Sequence, residues 1–205
     1  MNLNSITLTL KNIFLILVLW AMSFCSTSQT FYFGIGGQVD YASFNTQYLS
    51  GTGSYSNSSI IMVPGINAKA TLSITSNDFM NFAVSSYPFL GISLSTNSQT
   101  GGSNSFGIEI PINAELYLGD MEWGCFFIGA GWTFARLSSS YYGGRTITGP
   151  QADIGAQFAI GDRITGIRLS YTNGVNKTKV DDPTISIMSE RKTMITIGGY
   201  YLIGY

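Results

Sequence analysis

The stretch from Phe106 to Leu118, FGIEIPINAELYL, decides the fold. Every second side chain is apolar, and the residues between them include Glu109, Asn113 and Glu115. Because successive side chains of an extended strand point to opposite faces, one face of this stretch is continuously apolar and the other carries two carboxylates and an amide. The stretch therefore predicts a β-strand that separates an apolar environment from a polar one.

The same period of two recurs along most of the chain, which has 205 residues. It predicts eight strands, over residues 31–41, 60–74, 80–94, 106–118, 123–137, 150–160, 164–173 and 191–205.

The connections between these strands alternate in length. Short turns are expected at 75–79, 119–122 and 161–163, where Asn, Asp and Gly supply turn chemistry. Long connections rich in Ser, Asn, Gly and Thr are expected at 42–59, 95–105, 138–149 and 174–190. This alternation puts every long connection at one end of an even-stranded antiparallel meander, with both chain termini at the other end.

The small number of charged residues indicates which face meets which environment. Only 10% of residues are charged, against roughly 25% in soluble domains. A soluble barrel needs charged outward positions, whereas the polar face here is mostly Gly, Ser, Thr, Asn and Gln. We therefore predict an all-β protein: an 8-stranded antiparallel up-and-down transmembrane β-barrel with a polar, filled lumen. A soluble, lipocalin-like ligand-binding barrel with the opposite sidedness is the alternative.

Isolated charges on the polar face would be enclosed by this barrel, where we expect acids and bases to pair. This predicted lumen network has four acids and three bases: Asp40, Lys69, Glu109, Glu115, Asp153, Arg168 and Lys192.

Residues 1–28 have the order of a secretory signal peptide: a charge at Lys11, a compact apolar run from Ile13 to Trp20, and a small, polar end. We expect cleavage before Gln29, which leaves a barrel domain over 29–205. A retained N-terminal membrane anchor is the alternative. After cleavage Cys125 is the one cysteine left, so no intramolecular disulfide is expected.

The composition removes several classes of chemistry. The chain has no histidine, so a Ser-His device and histidine metal ligands are excluded. Glu109 and Glu115 share a face but lie about 20 Å apart along the strand, at roughly 3.3 Å per residue, which is too far for a catalytic carboxylate pair. We predict no catalytic residues, no cofactor and no metal. Because no basic run occurs, nucleic acid is not expected as a partner.

Two segments resemble a known family. The C-terminal residues match the outer-membrane assembly signal of polar, glycine, aromatic and apolar positions, through Thr196, Gly198, Tyr201 and Ile203, with Tyr205 at the end. The opening strand, Phe31 to Gly37, is similar to those of small outer-membrane β-barrel domains of the PorT-like and OmpA/OmpX-like kinds. The resemblance implies Sec-type export, recognition of the last strand by the barrel-assembly machinery, and residence in the outer membrane of a Gram-negative-type bacterium.

We accordingly expect a non-enzymatic barrel with a structural, adhesion or docking role carried by four long extracellular loops. Its partners would be outer-membrane lipid and lipopolysaccharide, the assembly machinery, and an extracellular protein or glycan. A secretion or assembly accessory barrel is an alternative role. A lipid-modifying enzyme and a pore are further hypotheses, both disfavoured. The loop residues considered for docking are Tyr48, Tyr55, Tyr141, Tyr142, Arg145, Lys177, Lys179, Asp181 and Asp182.

Overall fold

The computed structural model describes residues 30–74, 79–93, 104–139, 143–177 and 184–204. The expected leader, the turn residues Asn77 and Asp78, and the final Tyr205 lie outside these ranges. The described strands are β1 Thr30–Ser50, β2 Gly53–Ser73, β3 Met80–Ser86, β4 Phe89–Ser93, β5 Ser105–Asp120, β6 Gly124–Ser139, β7 Gly143–Ile160, β8 Arg163–Gly174 and β9 Ser186–Gly204.

The strands close into a ring in which every neighbouring pair is antiparallel. β1 pairs with β2 on one side and with β9 on the other, so the first and last strands complete the wall. β3 and β4 both pair with β2 and β5, and together they fill one place in the ring. Nine strands therefore occupy eight positions, and the predicted eight-stranded up-and-down barrel is confirmed.

The interruption between β3 and β4 corrects the single strand predicted over 80–94. It falls at Tyr87 and Pro88, because proline lacks the N–H that a ladder needs. The carbonyl of Pro88 still accepts a hydrogen bond from the backbone N–H of Ala68 (2.9 Å), which keeps the wall continuous. The Tyr87 side chain is fully buried.

The two faces of the wall have the predicted sidedness. On β5, Ile108, Ile110 and Ile112 are 39%, 48% and 53% exposed on the outside of the barrel, while Glu109 and Glu115 are 0% exposed on the inside. This polarity is opposite to that of a lipocalin-like barrel, so the soluble alternative is wrong.

Two of the predicted long loops are mostly strand. β1 and β2 stay paired as far as Ser50 and Gly53, so the connection predicted over 42–59 reduces to a turn at 51–52. β6 and β7 likewise pair as far as Ser139 and Gly143. Above the apolar band the polarity of the two faces reverses: on β1, Ala42 and Phe44 are buried inside the barrel while Ser43 and Asn45 stand on the outer face. The pattern that marked the lower part of the strand therefore changes although the backbone ladder continues. In the other two connections, 94–103 and 178–183 lie outside the described residues, and β9 begins at Ser186 rather than at 191.

In the part of the chain that the structure describes, no helix has the length and hydropathy required to span a membrane.

Apolar side chains close the interior at both ends of the barrel. We call the end with the short turns the lower end and the opposite end the upper end. The lower cluster contains Tyr32, Ala83, Tyr87, Tyr117, Met121, Cys125, Phe127, Ile164, Tyr200 and Leu202. The upper cluster contains Ala42, Phe44, Ile61, Val63, Phe89, Ala135, Leu137, Ile147 and Met194. The lumen is therefore a polar belt between two apolar clusters, and the predicted polar filling applies to the belt between them.

Candidate functional site

The seven residues of the predicted lumen network all lie inside the barrel, and none is more than 4% exposed. They do not form one network. Asp40, Glu109, Asp153 and Arg168 belong to the polar belt, Lys69 and Glu115 border the lower cluster, and Lys192 lies near the upper end.

Arg168 on β8 is the central cation of the belt. Its Nε lies 3.2 Å from Oδ2 of Asp153 on the adjacent strand β7, and both side chains are almost fully buried. Its Nη2 donates to Oε1 of Gln151 (2.9 Å), and its guanidinium carbon lies 4.1 Å from the centre of the Tyr87 ring. The ion pair, the amide and the ring together hold the guanidinium in one place.

Glu109 and Asp40 are held by neutral donors. Gln38 Nε2 donates to Oδ1 of Asp40 (2.8 Å) and to Oε2 of Glu109 (2.6 Å). Thr196 donates to the same oxygen of Asp40 (3.0 Å), and Thr133 donates to Oε1 of Glu109 (3.0 Å). Among the described residues no cation lies within 4 Å of either carboxylate, so these two acids differ from the ion-paired Asp153.

Uncharged amides connect the belt, and the sequence analysis missed their role. Gln151 Nε2 lies within hydrogen-bond distance of Glu109 (3.2 Å), and its Oε1 accepts from Asn113 (3.0 Å) as well as from Arg168. Gln38 and Gln157 have similar bridging positions. All of these amides stand at inward positions of strands, so the period of two could have identified them. Their partners across the barrel could not be identified in that way.

Lys69 is the first correction to the expected acid–base pairing. Its Nζ donates to the hydroxyl of Tyr117 (3.1 Å) and to Oε1 of Gln157 (3.2 Å), and it lies 3.9 Å from the centre of the Tyr200 ring. Tyr117 in turn donates to Oε2 of Glu115 (2.5 Å). A tyrosine hydroxyl therefore stands between this ammonium group and the nearest acid in the chain of hydrogen bonds.

Lys192 is the second correction. Its Nζ lies 3.2 Å from Oε1 of Glu190, a residue outside the predicted network. Both residues are on β9, two positions apart, and their side chains are buried. The strand prediction began at 191, which excluded Glu190 from consideration.

Glycines on the inner wall make room for the large rings of the lower cluster. A Cβ at Gly155 would stand 2.2 Å from the Phe127 ring, and one at Gly166 would stand 2.3 Å from the Tyr200 ring. The rings lie directly against the backbone of neighbouring strands, which fills a narrow lumen without displacing the wall.

The C-terminal residues singled out in the sequence lie on both faces of β9. Thr196 and Gly198 point inward, Tyr201 is part-exposed and Ile203 is exposed on the outside. Within the described residues no three acidic or cysteine side chains are grouped in a way that could hold a metal ion.

The upper end carries the residues considered for docking. The rings of Tyr48 and Tyr55 stack on facing positions of β1 and β2, with centres 4.9 Å apart. Arg145 and Lys177 are also described. Tyr141, Tyr142, Lys179, Asp181 and Asp182 lie outside the described residues.

The closed ring, its apolar outside and its polar inside define a β-barrel of the membrane-spanning kind. No protein-family model and no curated protein matches the chain.

Among solved structures, the barrel is similar to the attachment invasion locus protein Ail of Yersinia pestis, solved with the heparin analogue sucrose octasulfate (15% identity, 83% of this chain and 99% of that chain, TM-score 0.39). It is also similar to Neisserial surface protein A (18% identity, 85% and 98% of the two chains, TM-score 0.38). A third is the outer membrane protein OprG of Pseudomonas aeruginosa (9% identity, 86% and 98%, TM-score 0.48). All three are small outer-membrane β-barrel proteins.

Proposed function

We propose that this chain is an integral, non-enzymatic β-barrel of the outer membrane of a Gram-negative-type bacterium, and that its upper end serves as an adhesion or docking surface outside the cell. The observation that carries the proposal is the sidedness of the wall. Apolar side chains stand on the outside of every strand, and the charged side chains at strand centres are enclosed.

The height of the apolar band supports a membrane location. On β6, outward aromatic residues stand at both edges of the band, from Trp123 at the lower turn to Trp132 and Phe134 near the upper end. Trp123 and Phe134 are eleven residues apart, which is about 36 Å along a strand and about 25 Å across a bilayer at a tilt of about 45°. Tyr41 and Tyr171 continue the upper ring of aromatic side chains on β1 and β8.

The sealed interior supports a role without catalysis. The polar groups of the belt bond to one another, and apolar clusters separate them from both ends. The chemistry of the interior is that of a packed support, and contact with partners belongs to the upper surface.

The β1–β2 hairpin is the part of the upper end best suited to docking. No charged residue occurs between Tyr41 and Ala68. Its end carries exposed Ser, Asn, Thr and Gly around Tyr55, which is 48% exposed and stacks on the buried Tyr48. Tyrosine with small polar residues suits contacts with a protein or glycan, because the ring offers a large contact area with little conformational freedom to lose. The same proposal includes Sec-type export after removal of residues 1–28 and insertion through the C-terminal strand by the barrel-assembly machinery.

Membrane fractionation combined with site-directed labelling tests location and orientation together. Thr52 lies in the exposed turn at the upper end, and Asp162 lies in an exposed turn at the lower end. The variants Thr52→Cys and Asp162→Cys put a thiol at each of these two places. A membrane-impermeant maleimide should label the first variant on intact cells and the second only after the outer membrane is opened. Cys125 is buried and is present in both variants, so the unaltered chain measures the background labelling. Recovery of the chain in the soluble fraction, or the reverse labelling pattern, would contradict the proposal.

A further inference from the structure

Charged side chains outside the lumen are distributed unevenly along the barrel axis. The lower turns carry Asp120, Glu122 and Asp162, with Arg163 beside the last. The upper end carries three exposed cations, Arg136, Lys177 and Arg191, and the half-buried Arg145. The described acid at that end is Glu190, which is buried and paired with Lys192.

The upper cations are also confined to one side of the rim. Arg136 is on β6, Arg145 is on β7, Lys177 follows β8 and Arg191 is on β9. The upper parts of β1, β2, β4 and β5, which are residues 41–68, 89–93 and 105–108, contain no charged residue. The rim is therefore cationic over four neighbouring strands and uncharged over the rest. We call Arg136, Lys177 and Arg191 the cationic rim.

The strand register brings the cationic rim into one stretch of the upper wall. Arg136 pairs with Thr146 across β6 and β7. Asn176 bonds to the backbone of Thr148 (2.7 Å) and Thr146 (3.1 Å), which fixes the chain before Lys177 alongside that same part of β7. β8 and β9 are paired as far as Gly174 and Lys192. When this pairing is continued upward by one residue, Arg191 lies beside Val175, two residues before Lys177.

Arg136 lies just above the apolar band. It follows Trp132 and Phe134 at the next outward position of β6 and is exposed on the same face. Its guanidinium group lies beside Gly144 of β7, where a Cβ would stand 3.8 Å from Nη2. A cation at this height meets the layer of lipid headgroups rather than the acyl chains.

The described residues leave these cations without ion-pair partners. Among the carboxylates that the structure describes, none lies within 4 Å of Arg136, Lys177 or Arg191. Arg145 lies behind the cationic rim. Its Nε is buried and has no hydrogen-bond partner in the described structure. Lys179, Asp181 and Asp182 of the same connection lie outside the described residues and stay unchanged in the variants below.

We propose that the cationic rim binds the phosphate groups of a membrane lipid of the lipopolysaccharide class, and that the barrel therefore holds such a lipid on its β6–β9 side. The inference rests on the proposed function, because that function puts the upper end in the outer leaflet. Guanidinium groups bind phosphate through paired hydrogen bonds, and an ammonium group adds a mobile charge. The uncharged β1–β2 side is left for the docking surface.

The test uses the full chain folded in phosphatidylcholine vesicles with increasing amounts of lipopolysaccharide. The variant R136Q/K177Q/R191Q removes the cationic rim, and R163Q is the matched control, an exposed arginine at the opposite end. Binding of fluorescent lipopolysaccharide should weaken at least tenfold in the triple variant and stay unchanged in R163Q. Dephosphorylated lipopolysaccharide should bind the unaltered chain as weakly as the triple variant binds the native lipid.

Heat-modifiable mobility on a gel establishes that each variant is folded before binding is compared. Equal binding by the triple variant and the unaltered chain, or equal binding of phosphorylated and dephosphorylated lipid, overturns the proposal. Full competition by millimolar inorganic phosphate also overturns it, since that result describes a site for the free anion. Failure of the proposed function would instead be seen in the fractionation and labelling experiment, which is independent of these vesicles.

Discussion

At the scale of single residues, the lumen shows that buried charges have different partners although their exposure is the same. Asp153 has an arginine within 3.2 Å, whereas Asp40 shares the amide of Gln38 with a second acid, Glu109. Glu115 receives a tyrosine hydroxyl that is itself bonded to Lys69. The contribution of each charge to stability therefore depends on its neighbours rather than on burial alone.

Arg168→Ala should destabilise the barrel by about 3–5 kcal/mol, because it leaves the carboxylate of Asp153 buried without its cation. The measurement is the urea midpoint of unfolding in detergent micelles, followed by heat-modifiable mobility. The double variant R168M/D153N is the control, since it removes both charges and should cost less than Arg168→Ala. A midpoint unchanged by Arg168→Ala would show that the ion pair does not stabilise the barrel.

Asp40→Asn should raise the urea midpoint, by the equivalent of about 1–2 kcal/mol, because it removes repulsion between Asp40 and Glu109, which have no cation within 4 Å in the described part of the chain. Its amide oxygen can keep the hydrogen bonds from Gln38 and Thr196. Asp153→Asn is the matched variant: it makes the same chemical change but loses an ion pair, so its midpoint should fall. Shifts of the same sign in both variants would contradict this explanation.

At the scale of the elements, the sequence predicted where strands cross the apolar band but not where they end. Above the apolar band the polarity of the two faces reverses, because the inward Ala42 and Phe44 are buried while the outward positions become polar, so residues 42–59 read as a loop although β1 and β2 remain paired there. β3 and β4 were predicted as one strand because the interruption at Tyr87–Pro88 keeps the apolar residues in phase on either side of it.

The upper part of the β1–β2 hairpin should be dispensable for folding. Replacing residues 46–57 with Asn-Gly joins Asn45 to Ser58, which face each other in the ladder, through a two-residue hairpin turn. The lower register of β1 with both neighbours is unchanged, so the barrel should keep its heat-modifiable mobility while binding of an extracellular protein or glycan to the upper end falls. Loss of the folded band would show that the projecting hairpin helps to close the ring.

At the scale of the whole molecule, the closed ring and its two apolar clusters form a filled cylinder. Phe127 and Tyr117 fill the lower end, and Phe44 and Phe89 fill the upper end. Phe89, Phe127 and Tyr117 are all buried inside the barrel. The small diameter of a ring of eight strands leaves space for these side chains and no wide channel.

We therefore expect no steady conductance when the purified chain is incorporated into planar lipid bilayers. Fully inserted protein should leave the baseline current unchanged, because no water-filled path crosses the two clusters. Stable, uniform current steps that appear with insertion would contradict the filled lumen. The variant F44A/F89A, which opens only the upper cluster, should also stay closed because the lower cluster is intact.

The sequence by itself determined the number of wall positions, the sidedness of the wall and the identity of most inward charges. Each of these follows from local alternation and from the scarcity of charged residues, which are properties of single strands. Only the tertiary structure decided which inward side chains meet, since Gln38 and Glu109 are 71 positions apart and Asp40 and Thr196 are 156 apart. The physical reason is the stagger between neighbouring strands around the ring: it sets the height of each side chain in the lumen, and no single strand encodes it. The same stagger put Lys69 among aromatic rings and gathered apolar residues into clusters at the two ends.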